Sequence, residues 1–273
     1  MKTIAVLLTC HNRKNNTIAC LDALFRCTLP EHHSLSIFLV DDGSTDGTPE
    51  AIASQFPSVH LLQGDGNLYW NRGMHLAWKT AASYKDFDYY LWLNDDTFLF
   101  QDAFSTLFQK KFQDAIICGA TQSKQSATIT YSGYLKKPKT IVKPNGSYQE
   151  CDFCNGNFVL VPREVFQKNG NLDPYFHHAL GDFDYSLRAK RIGFAVYVAP
   201  KSIGTCERHE ELPKWRSTKV DVKTRFKNLY SAQSGCYPPE FYIYDKRHNG
   251  FFSAAFHYLS IHLRAIFPGL WKV

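Results

Sequence analysis

The sequence predicts an α/β fold: a mostly parallel sheet with helices on both faces. Three observations predict it. Over the first hundred residues, short apolar runs alternate with segments whose apolar residues recur at a spacing of three to four. The apolar runs are continuous, as strands buried on both faces must be. Polar clusters follow the runs, after Thr9, Val40, Gln63 and Leu93, and in parallel sheets ligands gather at the carboxyl ends of the strands.

The elements follow in order. TIAVLLT, Thr3 to Thr9, reads as the first buried strand. Asn16 to Cys27 is a helix, with Ile18, Leu21, Ala23, Leu24 and Phe25 as its apolar face. LSIFLV, Leu35 to Val40, is the second strand. Thr48 caps the next helix and Pro49 takes its first position, where a missing N–H costs nothing. Val59 to Gln63 is the third strand, Asn71 to Ser83 an amphipathic helix, and Tyr89 to Leu93 the fourth strand. Ala115 to Ala120 and Phe158 to Pro162 read as strands, and residues 121–150 as hairpins and loops. Asp182 to Gly193 is a helix, followed by a strand over Phe194 to Val198. Phe251 to Phe267, with Arg264 as its one formal charge, is a helix in a C-terminal helical extension. Residues 1–210 form the body, and residues 211–273 a basic, aromatic-rich extension.

A chain of 273 residues makes one large domain, or one domain with an appendage. It can bury about 75% of its unfolded surface, so it needs no disulfide to fold. Only Lys2 precedes the six-residue apolar run Ile4 to Thr9, and Cys10-His11-Asn12-Arg13 follows in place of a small-residue cleavage site. The segment reads as a strand and the protein as not secreted. Its eight scattered cysteines are then reduced thiols in a cytosol. Cys151-Asp152-Phe153-Cys154 is a lone C-x-x-C, read as two small half-buried residues rather than a metal or redox pair. Residues 211–273 carry ten Lys/Arg against four Asp/Glu, so the body balances to zero and the net charge of +6 lies in the extension. Nucleic acid would prefer a basic stripe on the body, which is missing. A basic, aromatic-rich tail suits an anionic membrane surface. At 17 residues, Phe251 to Phe267 is short for a membrane span. The first reading is an interfacial helix anchored by Lys214, Arg216, Lys219, Lys223, Arg225, Lys227, Lys246 and Arg247. Packing against the body or a second subunit is the other reading.

Four strand ends supply the chemistry. In VDDGSTDGT, Asp42 can accept hydrogen bonds from a base or a ribose, or serve as a local cap in a tight turn. TCHNR brings Thr9, Asn12 and Arg13 to the same crevice; Arg13 meets a phosphate or remains a solvated cation. GDGNLYWNRG brings Asn67, Trp70 and Asn71, and aromatic rings with polar edges suit a sugar, a base or the core. LNDDT places Asp95 and Asp96 side by side, where like charges repel unless something positive neutralises them. A divalent cation, Mn2+ or Mg2+, does this with one or two carboxylates, its other ligands being water and substrate phosphates; the alternative makes Asp95 or Asp96 a helix cap for the segment after Phe100. In GDFDYSLRAKRIG, Asp184 and Arg188 are four apart and pair, which leaves Asp182 to face the cleft. A helix N-terminus keeps such a carboxylate ionised.

Taken in order, TCHNR, VDDGSTDGT, GNLYWNRG, LWLNDDT and GDFDYSLRAKRIG resemble the family 2 inverting glycosyltransferases of the GT-A fold, over roughly residues 1–210. The likeness is to bacterial polysaccharide-synthesis members of the rhamnosyl- and galactofuranosyltransferase type. The resemblance implies that Asp42 and Thr9 hold the nucleobase of a UDP- or dTDP-linked donor. Asn12, Arg13, Asn67, Trp70 and Asn71 are further donor contacts. Asp95 lies near the ribose and the metal, Asp96 is the direct metal ligand, and Asp182 is the general base. Much of the family has a Glu before that Asp; here the place is Gly181. Some relatives supply a metal-binding His after the next strand, and His209 stands there, with a plain surface His as the alternative. The implied acceptor is a hydroxyl of a saccharide or a lipid-linked saccharide, and the implied location the cytoplasm, at the inner face of the membrane. A GT-A domain that binds a nucleotide sugar without turnover is the alternative from another class. A sugar-phosphate nucleotidyltransferase is disfavoured because TCHNRKNN has no glycine. A nicotinamide-dependent oxidoreductase is disfavoured because no G-x-G-x-x-G follows the first strand.

Overall fold

The structure, a computed structural model, describes residues 1–109, 114–208 and 213–270. The chain opens with β1 (Lys2–Cys10), α1 (Lys14–Phe25), β2 (His33–Asp41), α2 (Thr48–Gln55), β3 (Val59–Gln63), α3 (Tyr69–Tyr84) and β4 (Tyr89–Leu93). Then come β5 (Phe98–Leu99), α4 (Ala103–Leu107) and β6 (Ala115–Gln122). The stretch expected as hairpins and loops holds β7 (Ile129–Tyr131), β8 (Gly133–Leu135), β9 (Thr140–Ile141) and β10 (Gln149–Glu150). β11 (Phe153–Cys154), β12 (Phe158–Pro162), α5 (Arg163–Asn169), α6 (Gly181–Arg191) and β13 (Ala195–Thr205) complete the body. The extension contains α7 (Val222–Leu229), α8 (Pro238–Asn249) and α9 (Phe251–Ile266).

The main sheet runs β10-β13-β6-β12-β4-β1-β2-β3. β1 pairs parallel with β2 and β4, β2 with β3, and β6 with β13. β12 lies between β4 and β6 and runs against both. The carboxyl ends of β1, β2, β3 and β4 therefore share one edge with the amino end of β12.

Alternation along β1 feeds two cores. Ala5 and Leu7 pack with Phe38, Trp78, Trp92 and Tyr185 on one face. Ile4, Val6 and Leu8 pack with Leu21, Leu24, Leu39 and Phe104 on the other. These β1 side chains are fully buried, each large one contributing roughly 1.5–3 kcal/mol of transfer free energy. The extension has a small core of its own, built on Trp215, Leu229, Ile261 and Ala265.

Several boundaries differ from the sequence reading. Gly47, with φ 79°, takes the cap position of α2, and Thr48 is its first residue. Both the N–H and the hydroxyl of Thr48 donate to Asp46. α1 begins at Lys14 and α3 at Tyr69, two residues before the expected starts. β13 continues beyond Val198 to Thr205 through register shifts at Val198/Ser202 and Ser202/Gly204; its polar Lys201 and Ser202 hid that continuation. Cys151 and Cys154 are free thiols and fully buried rather than half-buried.

Candidate active site

A cleft of about 620 Å³ opens at the shared edge of the strands. Thr9 and Arg13 from the β1 end, Asp42 from the β2 end, and Asp95 and Asp96 from the β4 end line it. So do Trp70 from the first turn of α3 and Asp182 from the first turn of α6. The carboxylates of Asp96 and Asp182 thus share one cavity.

Arg13 bridges the acidic pair. Its Nη1 donates to Asp95 Oδ1 at 3.0 Å and to Asp96 Oδ2 at 2.9 Å. Asp95 is 6% exposed. Burial raises its pKa, Arg13 pulls it down and Asp96 pushes it up, leaving it at about 6. Asp95 Oδ2 is buried and makes no hydrogen bond. The Cys206 thiol donates to Asp96 Oδ1 at 3.5 Å. Among the described residues, no three or more His, Cys, Asp or Glu side chains gather as a metal cage. A buried carboxylate oxygen without a hydrogen bond, beside a second carboxylate in the wall of a cleft, fits a hard divalent ion that takes its other ligands from water and phosphate. His209 lies outside the described residues.

Asp182 is held by its backbone surroundings. The N–H of Gly156 donates to Oδ2 at 2.9 Å, and the N–H of Phe183 to Oδ1 at 2.8 Å. The helix N-terminus was expected to dominate its ionisation. Burial outweighs those hydrogen bonds instead and raises the pKa to about 6. Trp70 lines the same cleft as the two acidic centres. Its Nε1 donates to Asn94 Oδ1 at 2.6 Å, and its ring lies where a Cβ on Gly156 would come within 2.4 Å. Gly181 is explained in the same way: a Cβ there would sit 1.7 Å from Asn71 Oδ1. A glutamate in that place would have no room.

Asp42 lines the cleft, but its oxygens are engaged. Oδ1 accepts from Gly66 N–H, and Oδ2 from Leu68 and Tyr69 N–H, all at 2.9 Å. It organises the β3–α3 loop, and a carboxylate has about four lone-pair sites, so one remains for a ligand. Three residues expected as donor contacts stand apart from the cleft wall. Asn71 is fully buried, and its Nδ2 donates to the carbonyls of Asp173 and Phe176; its turn of α3 points into the body. Asn12 ties the first two loops together, its Oδ1 accepting from Thr45 N–H at 2.7 Å. Asn67 is exposed and lines a smaller neighbouring pocket of about 280 Å³. Tyr69 borders both pockets; Arg72, His177, Tyr230, Ala232 and Tyr237 complete the smaller one.

Sequence reasoning missed part of the wall. Asn155, Gly156 and Asn157 reach the cleft because β12 is antiparallel and begins at this edge. The turn-like NGN before an apolar run was the available signal. Gln233 and Gly235 come from the extension and have no local signature. Asp184 behaves as expected. It is fully buried, and Arg188 Nε donates to it at 2.8 Å.

No curated protein matches this sequence in a sequence search. The fold is shared with solved glycosyltransferases. The mannosyltransferase PcManGT from Pyrobaculum calidifontis, in complex with GDP-Man and Mn2+, is 15% identical, with TM-score 0.58, covering 98% of this chain and 72% of that one. GalNAc-T7 with UDP, GalNAc and Mn2+ is 13% identical, with TM-score 0.61; 96% of this chain is covered, but only 55% of that one. Residues 1–349 of S. aureus TarS are 11% identical, with TM-score 0.55, covering 97% and 81%. At such identities the likeness speaks for the GT-A fold. The sequence itself matches the family described as glycosyl transferase family 2 over residues 5–170, a span holding every cleft residue of the first four strand ends. The chain belongs to glycosyl transferase family 2.

Proposed function

We propose that this glycosyltransferase moves a sugar from a nucleotide-diphosphate donor to an acceptor hydroxyl, with inversion at the anomeric carbon. The carrying observation is that the Asp95–Asp96 pair and Asp182 line one cleft at the strand ends. Thr9 and the remaining lone pair of Asp42 offer the base its contacts, and the Trp70 ring suits the sugar. UDP and dTDP are the carriers we favour. Asp96 and Asp95 would hold Mn2+ or Mg2+ together with the donor's diphosphate. When bound, that ion would neutralise charge developing on the leaving diphosphate. Arg13, already turned toward the pair, is placed to follow the same charge. Asp182 accepts the proton of the attacking hydroxyl, and its raised pKa makes it a better base than an exposed aspartate. The smaller pocket, with tyrosine rings and Arg72, suits an acceptor saccharide. We infer a role in surface polysaccharide synthesis, with a saccharide or lipid-linked acceptor at the inner face of the cytoplasmic membrane.

The test is a panel of nucleotide sugars incubated with the protein and read by mass spectrometry. One donor should be hydrolysed slowly with Mn2+ or Mg2+ and spared in EDTA. Nucleotide binding without turnover of any donor, even with acceptor extracts added, would leave a binding protein in place of an enzyme.

A further inference from the structure

One side of α9 is apolar and uncovered. Phe252, Phe256, Leu259, Leu263, Ile266 and, just beyond the helix, Leu270 are 40% to 88% exposed. Their spacing of four, three, four, three and four sets them along one face. The opposite side, with Ala254, Ile261 and Ala265, is buried. Single exposed apolar residues are ordinary; a contiguous stripe marks an interaction surface.

The charges around it select the partner. Within residues 222–270 the only acids are Glu240 and Asp245, and both are buried. Glu240 accepts from the N–H of His177, and Asp245 from Ser253 and His257. Two expected anchors also point inward. Arg225 donates to the carbonyls of Ala265 and Ile266, and Arg247 pairs with Asp173 and Asp184. Lys223, Lys227 and Lys246 remain exposed. A second copy packed on the stripe would bring lysines toward lysines, and among the described residues of the extension the one exposed carboxylate, Asp221, is already engaged by Thr224 as the cap of α7. An anionic lipid surface satisfies the stripe and the lysines together. No helix among the described residues is long and apolar enough to cross a membrane. At 16 residues, α9 is about 24 Å long, against a hydrocarbon core of about 30 Å.

We propose that α9 lies in the interface of an anionic bilayer, its stripe among the acyl chains and the lysines of α7 and α8 at the headgroups. The same extension supplies Gln233 and Gly235 to the cleft wall, and Tyr230 donates to His262 of α9 at 2.8 Å. The docked helix is therefore continuous with the cleft. That docking brings the cleft to its acceptor rests on the transferase reading; the docking itself does not.

The experiment is flotation of the full chain with phosphatidylglycerol-containing vesicles and with pure phosphatidylcholine vesicles. The protein should float with the anionic vesicles, stay behind with the neutral ones, and be released by salt. Leu259→Gln with Leu263→Gln should weaken partitioning at least ten-fold. Lys223→Gln with Lys227→Gln should weaken it about ten-fold or more, since each lysine near such a surface adds measurably to binding. Both variants change exposed groups, so melting temperature and metal-dependent donor hydrolysis should be unchanged. Absence of flotation by the full chain overturns the proposal, as does flotation that the leucine variant leaves unmoved. A dimer in sedimentation velocity that the leucine variant dissolves overturns it in favour of a second copy. If vesicles bind while no donor is hydrolysed, the transferase reading fails and the docking stands.

Discussion

Asp182 sits between opposing influences. Two backbone N–H groups favour its charged form, burial disfavours it, and burial prevails with a pKa of about 6. A base must be unprotonated to act, so kcat/KM should fall about ten-fold per pH unit below about 6 and level off above it. Asp182→Asn removes the acceptor of the proton while filling the same space. It should lower kcat by about 10²–10⁴ and leave nucleotide affinity, read by calorimetry, within about two-fold; turnover at the parent rate would remove Asp182 from the base role. Its neighbour Gly181 carries a separate, structural constraint. A Cβ there meets Asn71 Oδ1 at 1.7 Å, so Gly181→Ala should cost about 1–3 kcal/mol by overpacking. Asn71→Ala gives up the bonds to the Asp173 and Phe176 carbonyls and should cost a similar amount. It also clears the space. In urea melts the double variant should be less destabilised than the sum of the two by at least about 1 kcal/mol; additive costs would show that the close approach is not what excludes a side chain at residue 181.

At the scale of elements, what the sequence shows and what it hides have physical causes. β3, β4 and β12 match the expected Val59 to Gln63, Tyr89 to Leu93 and Phe158 to Pro162, because a short apolar run between polar breaks has little freedom in its ends. Thr9, Asp42, Asp95 and Asp96 were legible as cleft residues because parallel strands deliver their carboxyl ends to one edge. Asn71 was not, because residues on one helical turn differ by about 100° in direction, and Trp70 takes the cleft while Asn71 takes the interior. Asn155 to Asn157 escaped notice because nothing local reveals that β12 runs against its neighbours. The anchoring of α9 was equally invisible. Arg225 reads as a surface cation, yet it is 6% exposed and donates to the last carbonyls of α9 at Ala265 and Ile266. These are the carbonyls a helix end leaves without partners. Arg225→Met keeps the packing of the side-chain stem and removes the donors. It should cost about 2–4 kcal/mol and speed hydrogen exchange in the last two turns of α9 while leaving β1 and β4 protected. Unchanged exchange there would show that the helix end is held by its apolar contacts alone.

At the scale of the whole molecule, the question is whether the extension is an appendage or part of the fold. It has its own core of Trp215, Leu229, Ile261 and Ala265, which alone would suggest independence. Its charges argue the other way. Asp184 in α6 is fully buried, and three donors satisfy it: Arg188 from its own helix, and Arg247 and His248 from α8, at 2.7–2.8 Å. Arg247 also pairs with Asp173, and Arg191 donates to the Arg247 carbonyl. Burial alone would raise the pKa of Asp184; His248, Arg188 and Arg247 reverse this and hold it below the usual carboxylate value. A depressed folded-state pKa contributes stability that is present above the unfolded value, about 3.9, and is lost as pH falls through the folded value. Two of the three donors that create this stability belong to the extension, so body and extension should melt together. Calorimetry of the full chain should give a single transition whose van't Hoff and measured enthalpies agree. Arg247→Met should lower the stability of that one transition by about 2 kcal/mol, less than for a fully buried pair because the arginine is about one-quarter exposed. The loss should shrink only as pH falls below the ordinary carboxylate range toward Asp184's depressed folded value, where the carboxyl takes its proton and the bond has less to hold. Because Gln233 and Gly235 of the extension line the cleft, donor hydrolysis should fall in the same variant. Two separate melting transitions, with the arginine exchange moving only the lower one, would make the extension an independent module resting on the body.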